Sequence, residues 1–575
     1  MIKLQELKPK FKAPRHENLR ELLRYAAKEY GSDTAFIVKH KNGKEVSYEH
    51  ISFEAFWNRV NQLGTALLKR GMKGKRIATV SKNRVEWMES HFAALGGLGY
   101  SVPLDKGLPY EELESSLARS YADVLVFEAA QIADIERLKA QGKTQVQEYI
   151  CMDELEGYLS IPQLRAEGEK LLAEGFDEYL NLPIDKFENQ IILFTSGTTS
   201  LSKAVLLSHY NLVENIYGLQ LAEDIHRGDV NMAFLPYHHT FGSTGQTLML
   251  ACGVTTTYCD GLKYLQKNIV EYKVSVFFCV PLLIESIYKK VMATVKKEGK
   301  ENTVKFGIAL SKFLLKFGID IRRKVFKTIL DQLGGNIRFV ISGAAAIDPE
   351  AIEGFNNFGI RAVQGYGMTE AAPVITAENH WERKAGSIGR ALPGVEVAID
   401  EPDENGVGEI ICRGPNVMAG YYENEEDTAK TLIDGWLHTG DLGYIDEDGF
   451  LFICGRKKNV IVLKNGKNVY PEEIEVLIAA LPYVSENFIF GKPRREDDEK
   501  DLALWAKIVY NPEYMKEHYG ASTPAEAEEV IRRDIDAIND TLPVYKQIFK
   551  LIVTDQEMIK TTTGKVKRYE ETKNL

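Results

Sequence analysis

Apolar and polar positions follow two alternating patterns over about residues 19–260. Phe53–Arg70 carries apolar side chains at helical spacing and ends before a glycine, which predicts a helix. Val85–Leu95 repeats that spacing, whereas Lys75–Val80 and Ala122–Phe127 are short apolar runs typical of buried strands. Because strands and helices alternate, the pattern predicts an α/β fold with a mostly parallel sheet covered by helices. Ligands of such sheets bind beyond the carboxyl ends of the strands.

The pattern changes after Ser342, where glycines and turn residues separate short strands such as Val395–Ile399 and Gly408–Cys412. A boundary is predicted near Gly455. It divides the chain into a large region, residues 1–455, and a small unit, residues 456–575, with strand and helix patterns of its own.

The longest stretch without a charged side chain, Val230–Cys259, contains too many polar residues to be a membrane span. It is typical of the lining of a buried tunnel or crevice. The N-terminus lacks the apolar segment of a signal peptide, and the six cysteines show no C-x-x-C spacing. We therefore expect a cytoplasmic protein with reduced cysteines.

Composition excludes several classes of protein. Hydrophobic residues make up 44% and charged residues 27%, which is ordinary for a globular chain and excludes extended disorder or a disulfide scaffold. The net charge of −11 argues against a general nucleic-acid-binding protein.

One segment departs from that average. Residues 289–327 are helical in pattern and hold twelve Lys or Arg against three acidic residues, a net charge of +9. The segment is either a solvated helical face or a surface for anionic lipid head groups. In the second case, we expect Lys289, Lys290, Arg322 and Arg323 to contribute to lipid binding.

A buried strand, Ile191–Phe194, leads into the sequence T-S-G-T-T-S-L-S-K at Thr195–Lys203. Backbone N–H groups and hydroxyls in such a loop can face phosphate oxygens, and Lys203 adds a cation. The spacing is not that of a Walker A loop. Taken alone, the segment is either a phosphate loop or a polar surface turn.

Further polar, glycine-containing motifs follow in order. They are Leu235–Gly242 (L-P-Y-H-H-T-F-G), Ser342–Ala346 (S-G-A-A-A), Gln364–Glu370 (Q-G-Y-G-M-T-E), Trp436–Asp441 (W-L-H-T-G-D), Gly455–Asn459 (G-R-K-K-N) and Lys560–Lys565 (K-T-T-T-G-K). Two glycines in Gln364–Glu370 let the backbone approach a flat ring, and Tyr366 offers a stacking face. The carboxylate of Glu370 is the kind of hard oxygen ligand that Mg²⁺ prefers. The pair His238 and His239 has no third ligand at suitable spacing, so we do not predict a zinc centre.

Together these motifs resemble those of the AMP-forming adenylating enzymes, and the basic helical segment before Ser342 is similar to the long-chain fatty acyl-CoA synthetase branch. Ser200, Ser202 and Ala204 stand where the family usually has Gly, Pro and Gly. The resemblance covers about residues 20–570. It implies a large N-terminal region of mixed sheets with helices, and a small mobile α+β C-terminal domain with a hinge at residues 456–459.

The resemblance also implies site residues. The catalytic residues would be Lys565, Glu370, Thr369 and His239, and the hinge residue would be Lys458. Mg²⁺ would be held by Thr195 and Glu370. ATP would be bound by Thr195, Ser196, Gly197, Thr198, Thr199, Lys203, Gly343, Ala344, Ala345, Gln364, Gly365, Tyr366, Gly367, Asp441 and Arg456.

The implied reaction joins a carboxylic acid, of medium or long chain, to AMP with release of pyrophosphate, and then transfers the acyl group to coenzyme A. No carrier-like segment follows Lys565, so CoA is the expected acceptor. Two alternatives stay open: loading of a separate acyl carrier protein, and a degenerate, non-catalytic scaffold. The implied partners are ATP, Mg²⁺, a fatty acid and CoA, with peripheral membrane contact through residues 289–327 if that segment binds lipid.

Overall fold

The computed structural model describes residues 1–195, 202–464, 466–494, 501–560 and 566–573. Its α-helices are Leu19–Tyr30, Phe53–Lys69, Val85–Ala93, Tyr110–Arg119, Ile132–Gln141, Ile161–Ala173, His209–Ala222, Thr240–Ala251, Leu265–Tyr272, Pro281–Lys297, Glu301–Leu315, Arg322–Val325, Lys327–Gln332, Pro349–Asn357, Glu425–Thr431, Pro471–Ala479, Pro512–Tyr519, Pro524–Thr541 and Arg568–Lys573. Within the described ranges, no helix is both long enough and apolar enough to cross a membrane.

The first sheet is parallel through most of its width. Its strands, in spatial order, are Gly420–Tyr421, Lys203–Leu207, Ile191–Thr195, Tyr100–Leu104, Arg76–Val80, Val124–Phe127, Glu148–Cys151 and Leu159–Ser160. Only the pairings made by Lys203–Leu207 are antiparallel.

The second sheet has a parallel centre with antiparallel edges. Its strands, in spatial order, are Arg390–Ala391, Val374–Ala377, Arg361–Gly367, Phe339–Ser342, Val276–Cys279, Val230–Ala233, Thr255–Tyr258, Thr34–Asn42 and Glu45–Ser52. These two sheets with their covering helices confirm the predicted α/β class.

A third, antiparallel sheet follows the sequence change after Ser342. It contains Ile2–Lys3, Glu396–Asp400, Gly408–Arg413, Trp436–Ile445 and Leu432–Ile433, and Leu451–Arg456 also pairs with Trp436–Ile445. The N-terminal strand joins this sheet by pairing with Glu396–Asp400.

Beyond Arg456 the chain forms a separate small α+β unit. Its strands are Ile461–Val462, Asn468–Val469, Val484–Pro493, Leu502–Tyr510 and Ile548–Thr554. A hydrophobic core of its own includes Ile474, Ile508 and Ile531, all fully buried. This separate core supports the predicted boundary near Gly455, which stays a prediction.

Hydrophobic burial explains why the elements lie where they do. The N-cap of the helix Phe53–Lys69 is Ser52, whose side chain accepts a hydrogen bond from the backbone N–H of Ala55. The helix buries Phe53, Phe56 and Val60.

All six cysteines are unpaired, and every one except Cys259 is buried.

Candidate functional site

Two groups of predicted site residues lie where parallel strands of the second sheet end. The turn after Phe339–Ser342 holds Gly343, and the neighbouring parallel strand, Arg361–Gly367, ends with the Gln364–Gly367 motif. Ser342 lies directly opposite Gln364 in the register. The structure therefore brings two separate motifs to the edge where α/β proteins bind ligands.

Glycines permit close backbone packing at this edge. A Cβ atom on Gly343 would lie 3.1 Å from the carbonyl oxygen of Gly365 and 3.2 Å from the ring of Phe241. A Cβ atom on Gly367 would collide with the carbonyl oxygen of Pro373. Larger residues would push the two turns apart.

The rest of the Ser342–Ala346 turn faces outward. Gly343 is buried, whereas Ala344 and Ala345 are exposed, and Ala344 adopts a φ of +74°. The Gln364 side chain, predicted to bind nucleotide, donates a 2.9 Å hydrogen bond to the carbonyl oxygen of Ser387 instead of pointing freely into a cleft. This bond helps to hold the motif in place, and the nucleotide contact of Gln364 stays a prediction.

Asp441 forms the first of two carboxylate clusters. Its Oδ2 accepts a 2.6 Å hydrogen bond from the Tyr366 hydroxyl, and the Arg456 Nε lies 2.7 Å from Oδ1. Asp441 and Arg456 are register partners on adjacent strands, which fixes their approach. Burial, followed by the charge of Asp441, holds the pKa of Tyr366 well above its ordinary value, so the hydroxyl remains a donor.

Glu370 forms the second cluster. Its Oε1 accepts a 2.8 Å hydrogen bond from the Tyr421 hydroxyl, and both side chains are buried. Among the described residues, no Lys, Arg or His lies within ion-pair distance of Glu370. Within the part of the chain that the structure describes, this buried carboxylate therefore has no cation to offset its charge.

Lys203, a predicted phosphate ligand, lies near this second cluster. Its Nζ is 4.7 Å from the centre of the Tyr421 ring and 3.0 Å from a carboxylate oxygen of Asp427. Hydrogen bonding from Lys203 lowers the pKa of Asp427. The lysine is thus held by a surface carboxylate and an aromatic face.

Thr195 and Lys203 face each other across the hairpin that carries the predicted phosphate loop. The Thr195 hydroxyl donates a 3.3 Å hydrogen bond to the carbonyl oxygen of Lys203. The loop residues Ser196, Gly197, Thr198 and Thr199 lie outside the described residues, as does Lys565. Their predicted roles stay predictions.

The residues present fit a magnesium ion bound together with a nucleotide. The turn Thr369–Ala371 contacts the strand Lys203–Leu207. The partner of that strand in the hairpin, Ile191–Thr195, ends at Thr195. In the described parts of the chain, no group of three His, Cys, Asp or Glu side chains could hold a metal alone. Mg²⁺ commonly uses one or two carboxylates together with water and phosphate oxygens, so Glu370 and a threonine meet its needs.

His239 begins the helix Thr240–Ala251, where its carbonyl oxygen accepts from the backbone N–H of Ser243 at 3.0 Å. The neighbouring His238 ring is 4.2 Å away, centre to centre. Burial, followed by repulsion from His239, lowers the pKa of His238 to about 3. His238 is therefore neutral at neutral pH, and nothing described nearby completes a zinc site.

The predicted hinge residue, Lys458, lies in the turn Lys457–Asn459 directly after Arg456. Its neighbour Lys457 forms a 2.9 Å ion pair with Glu409 of the large region.

The sequence did not predict two residues of the second cluster, Tyr421 and Asp427. Tyr421 stands in a Gly-Tyr-Tyr run, and a single sequence contains no signal that separates it from Tyr422.

The chain matches two family models of known proteins. The family model described as "AMP-binding enzyme" matches residues 23–422, and "AMP-binding enzyme C-terminal domain" matches residues 458–574.

Among curated relatives, a long chain acyl-CoA synthetase 6, peroxisomal, of Arabidopsis thaliana is 35% identical over 56% of this chain and 48% of its own length. This chain thus spans about half of that relative. A fatty acyl-CoA synthetase A of Dictyostelium discoideum is 28% identical over 89% of this chain and 78% of its own length. A long-chain-fatty-acid–CoA ligase 5 of Rattus norvegicus is 31% identical over 78% of this chain and 70% of its own length.

Among solved structures, an anthranilate CoA ligase in complex with anthranoyl-AMP superposes with a TM-score of 0.74 at 20% identity, covering 98% of both chains. That likeness shows a shared fold. The family-level match, in contrast, extends over residues 23–422, more than half of the sequence, and includes Glu370 and Tyr421, so this chain belongs to the family of AMP-binding enzymes.

Proposed function

We propose that this protein activates a medium- or long-chain fatty acid with ATP and passes the acyl group to coenzyme A. The observation that carries the proposal is the pair of buried carboxylate clusters beside the strand ends. Asp441 offers hydrogen-bond acceptors to a ribose diol, and Glu370 offers an uncompensated charge to a cation. The names of the relatives, fatty acyl-CoA synthetases and long-chain ligases, supply the acyl class.

The chemistry has two half-reactions. A carboxylate oxygen attacks the α-phosphate of ATP, the bond to the β-phosphate breaks, and acyl-AMP and pyrophosphate form. A thiol then attacks the acyl carbonyl, AMP leaves with the bonding electron pair, and the thiol proton passes to solvent. AMP is a far better leaving group than oxide, which is why the acid must first be activated.

The described residues have separate tasks in this scheme. Arg456 and Tyr366 hold Asp441 in place, while Tyr421 holds Glu370. Mg²⁺, held by Glu370 and a threonine such as Thr195, would neutralise phosphate charge. We propose that Lys565 adds a further positive charge at the α-phosphate and that the unit after Lys458 then turns to admit the thiol.

The test is exchange of labelled pyrophosphate into ATP, measured with a panel of acids from acetate to palmitate and with aryl acids. We expect exchange that peaks at a medium- or long-chain acid. Exchange with none of the acids would overturn the enzyme assignment and favour a non-catalytic scaffold. As a matched pair, Glu370→Gln should remove exchange, and the exposed Glu426→Gln should not.

The acceptor is tested separately. Purified acyl-AMP is supplied with either CoA or a holo acyl carrier protein, and thioester formation is followed. We expect rapid reaction with CoA. Reaction with the carrier protein alone would overturn CoA as the acceptor and leave the first half-reaction intact.

For location, we propose a cytoplasmic protein that contacts the inner face of a membrane through residues 289–327. The structure alters the expected contact residues. Lys289 donates a 2.9 Å hydrogen bond to the carbonyl oxygen of Ala479, and Lys290 donates to Gln266. Arg322 and Arg323 donate to backbone carbonyl oxygens within the large region. These four cations hold the protein's own groups, so we no longer expect them to bind lipid.

We expect the outward side of the helix Glu301–Leu315, with the residues that follow it, to bind lipid instead. Phe306, Leu310, Phe313 and Phe317 are exposed and recur at spacings of three and four, so they share one face. The exposed Lys305, Lys312 and Lys316 have no ion-pair partner among the described residues. Apolar and basic side chains on one surface helix are typical of binding at an anionic bilayer interface.

Vesicle flotation tests this location. Replacing Lys305, Lys312 and Lys316 with Gln should weaken binding to vesicles of phosphatidylcholine and phosphatidylglycerol, by about 1 kcal/mol per residue at low salt. Phe313→Ser with Phe317→Ser should weaken binding at high salt too, whereas Phe187→Ser, at another exposed site, should not. Unchanged binding by both multiple variants would overturn the proposal.

A further inference from the structure

The buried Tyr421 contacts two groups that the proposed ATP site uses for different purposes. Its hydroxyl donates to Glu370, and its ring lies beneath the ammonium of Lys203. We propose that Tyr421 is a positioning residue that orients both Glu370 and Lys203 toward a bound metal–nucleotide complex. This inference rests on the proposed function.

The hydroxyl contact is specific. Oη lies 2.8 Å from Glu370 Oε1, and the tyrosine and glutamate side chains are 7% and 8% exposed. A hydroxyl has one proton to donate, so this bond engages one carboxylate oxygen and leaves the other available.

The backbone around Tyr421 is fixed against the Glu370 turn. The N–H of Met418 donates a 2.8 Å hydrogen bond to the carbonyl oxygen of Glu370. The side-chain amide of Asn416 donates to the carbonyl oxygen of Ala371 at 3.0 Å. The turn is thus held by main-chain contacts as well as by the tyrosine hydroxyl.

The same segment is fixed against the strand that begins with Lys203. Tyr421 is the register partner of Val205, and the N–H of Tyr422 donates a 2.7 Å hydrogen bond to the carbonyl oxygen of Ala204. Tyr421 therefore sits on a short strand that pairs with the strand carrying Lys203 and follows the segment bonded to the Glu370 turn. Movement of that turn relative to the strand would require breaking these backbone bonds.

The ring contact constrains Lys203 in a second way. A lysine side chain has four rotatable bonds, and Asp427 alone would hold it only as a surface ion pair. The Tyr421 face, 4.7 Å away, adds a cation–π contact on the inner side. The ring contact thus helps to keep the ammonium near the hairpin end when a phosphate replaces Asp427 as its anion.

The adjacent tyrosine has a different environment. The Tyr422 ring lies 5.1 Å from the guanidinium carbon of Arg76, on another part of the sheet. Because phenylalanine would fill the space of Tyr421 equally well, space filling does not explain the hydroxyl. The bond to Glu370 does.

The test compares Tyr421→Phe with Tyr483→Phe in the full-length protein. Tyr483 is a matched control, since its buried hydroxyl also donates to a carboxylate, Asp534, at 2.8 Å, but in the C-terminal core. Calorimetry without any acid, and so without turnover, measures the affinity for ATP with Mn²⁺ and, in EDTA, without metal. Electron paramagnetic resonance reports the Mn²⁺ environment.

We expect Tyr421→Phe to weaken Mn²⁺·ATP binding by about tenfold or more and to change metal-free ATP binding by less than about twofold. Tyr483→Phe should match the wild type in both. Tyr421→Leu, which also removes the ring, should weaken metal-free ATP binding by about twofold to fivefold, through Lys203. Equal losses with and without metal in Tyr421→Phe, or no loss, would overturn the positioning role.

Failure of this inference is distinguishable from failure of the proposed function. If the wild type binds ATP and exchanges pyrophosphate while Tyr421→Phe behaves identically, only the role of Tyr421 is wrong. If the wild type does neither, the proposed function is wrong, and the positioning role falls with it.

Discussion

Two buried carboxylates in this protein accept a hydrogen bond from a buried tyrosine, yet they differ in charge balance. Asp441 receives the Tyr366 hydroxyl and also pairs with Arg456 at 2.7 Å. Glu370 receives the Tyr421 hydroxyl, while the nearby Lys203 pairs with Asp427 instead. A buried charge is stable only when it is paired, so the unpaired member is the one suited to accept a cation from outside. The difference supports the proposed roles, hydrogen bonding to the ribose for Asp441 and metal binding for Glu370.

The largest expected effect comes from neutralising the uncompensated carboxylate. Glu370→Gln should lower the rate of pyrophosphate exchange about 100-fold or more, because the metal loses its protein anchor. Its free energy of unfolding should stay equal or rise, since an unpaired buried charge is removed. Exchange assays and urea unfolding measure the two quantities. A clear loss of stability would contradict the absence of a compensating cation.

The matching change in the paired cluster should have a different profile. Asp441→Asn leaves the half-exposed Arg456 without its anion, so the free energy of unfolding should fall by about 1–2 kcal/mol. ATP affinity should fall about tenfold because the variant amide also replaces one ribose acceptor with a donor. Calorimetry and urea unfolding check both. A free energy of unfolding equal to that of Glu370→Gln would contradict the difference in charge balance between the two clusters.

Acid should add a buried charge at a third site, His238, which lies 3.4 Å from Asp105. Its pKa is lowered to about 3 in the folded protein and returns to about 6.5 on unfolding. The folded state therefore loses stability as the pH falls through 6.5 toward 3, because the unfolded chain binds the proton first.

Replacing this histidine with a phenylalanine, which cannot bind a proton, gives the measurement. Between pH 7 and pH 5, the free energy of unfolding of His238→Phe should fall by about 2 kcal/mol less than that of the wild type. Urea unfolding at each pH provides the values, with the exposed His518→Phe as a control. Identical pH dependence in His238→Phe and the wild type would contradict a buried, neutral ring.

The smallest effect is expected at the surface pair that holds Lys203. Asp427→Asn removes an ion pair whose side chains are about one-third exposed, so stability should change by less than about 1 kcal/mol. ATP affinity should rise less than about threefold, because Lys203 no longer has to leave an anion. A large fall in ATP affinity would mean that Asp427 itself binds the nucleotide complex.

Local patterns predicted much of the fold because each depends on neighbouring residues. The helix predicted over Phe53–Arg70 is present as Phe53–Lys69, and the strand predicted over Lys75–Val80 as Arg76–Val80. The α/β class follows from their alternation. The family resemblance also named Glu370, Asp441 and Arg456, which the structure brings to the strand ends.

Contacts between distant segments were less predictable. Tyr421 and Glu370 are 51 positions apart, and only the pairing of two short strand segments brings them together. The basic segment shows the same limit. Its charge is visible in the sequence, but the side to which each cation points depends on helix packing, which turns Arg323 inward and Lys312 outward.

The Asp441–Arg456 ion pair has a consequence for coupling between binding and shape. A ribose bound at Asp441, as proposed, would share that carboxylate with the guanidinium of Arg456, which lies two residues before Lys458. An orientation of the later chain that moves Arg456 would then change the affinity for the nucleotide. By thermodynamic reciprocity, the bound nucleotide would shift that orientation by the same factor. A single side chain would thus make occupancy of the site and orientation of the C-terminal unit linked equilibria.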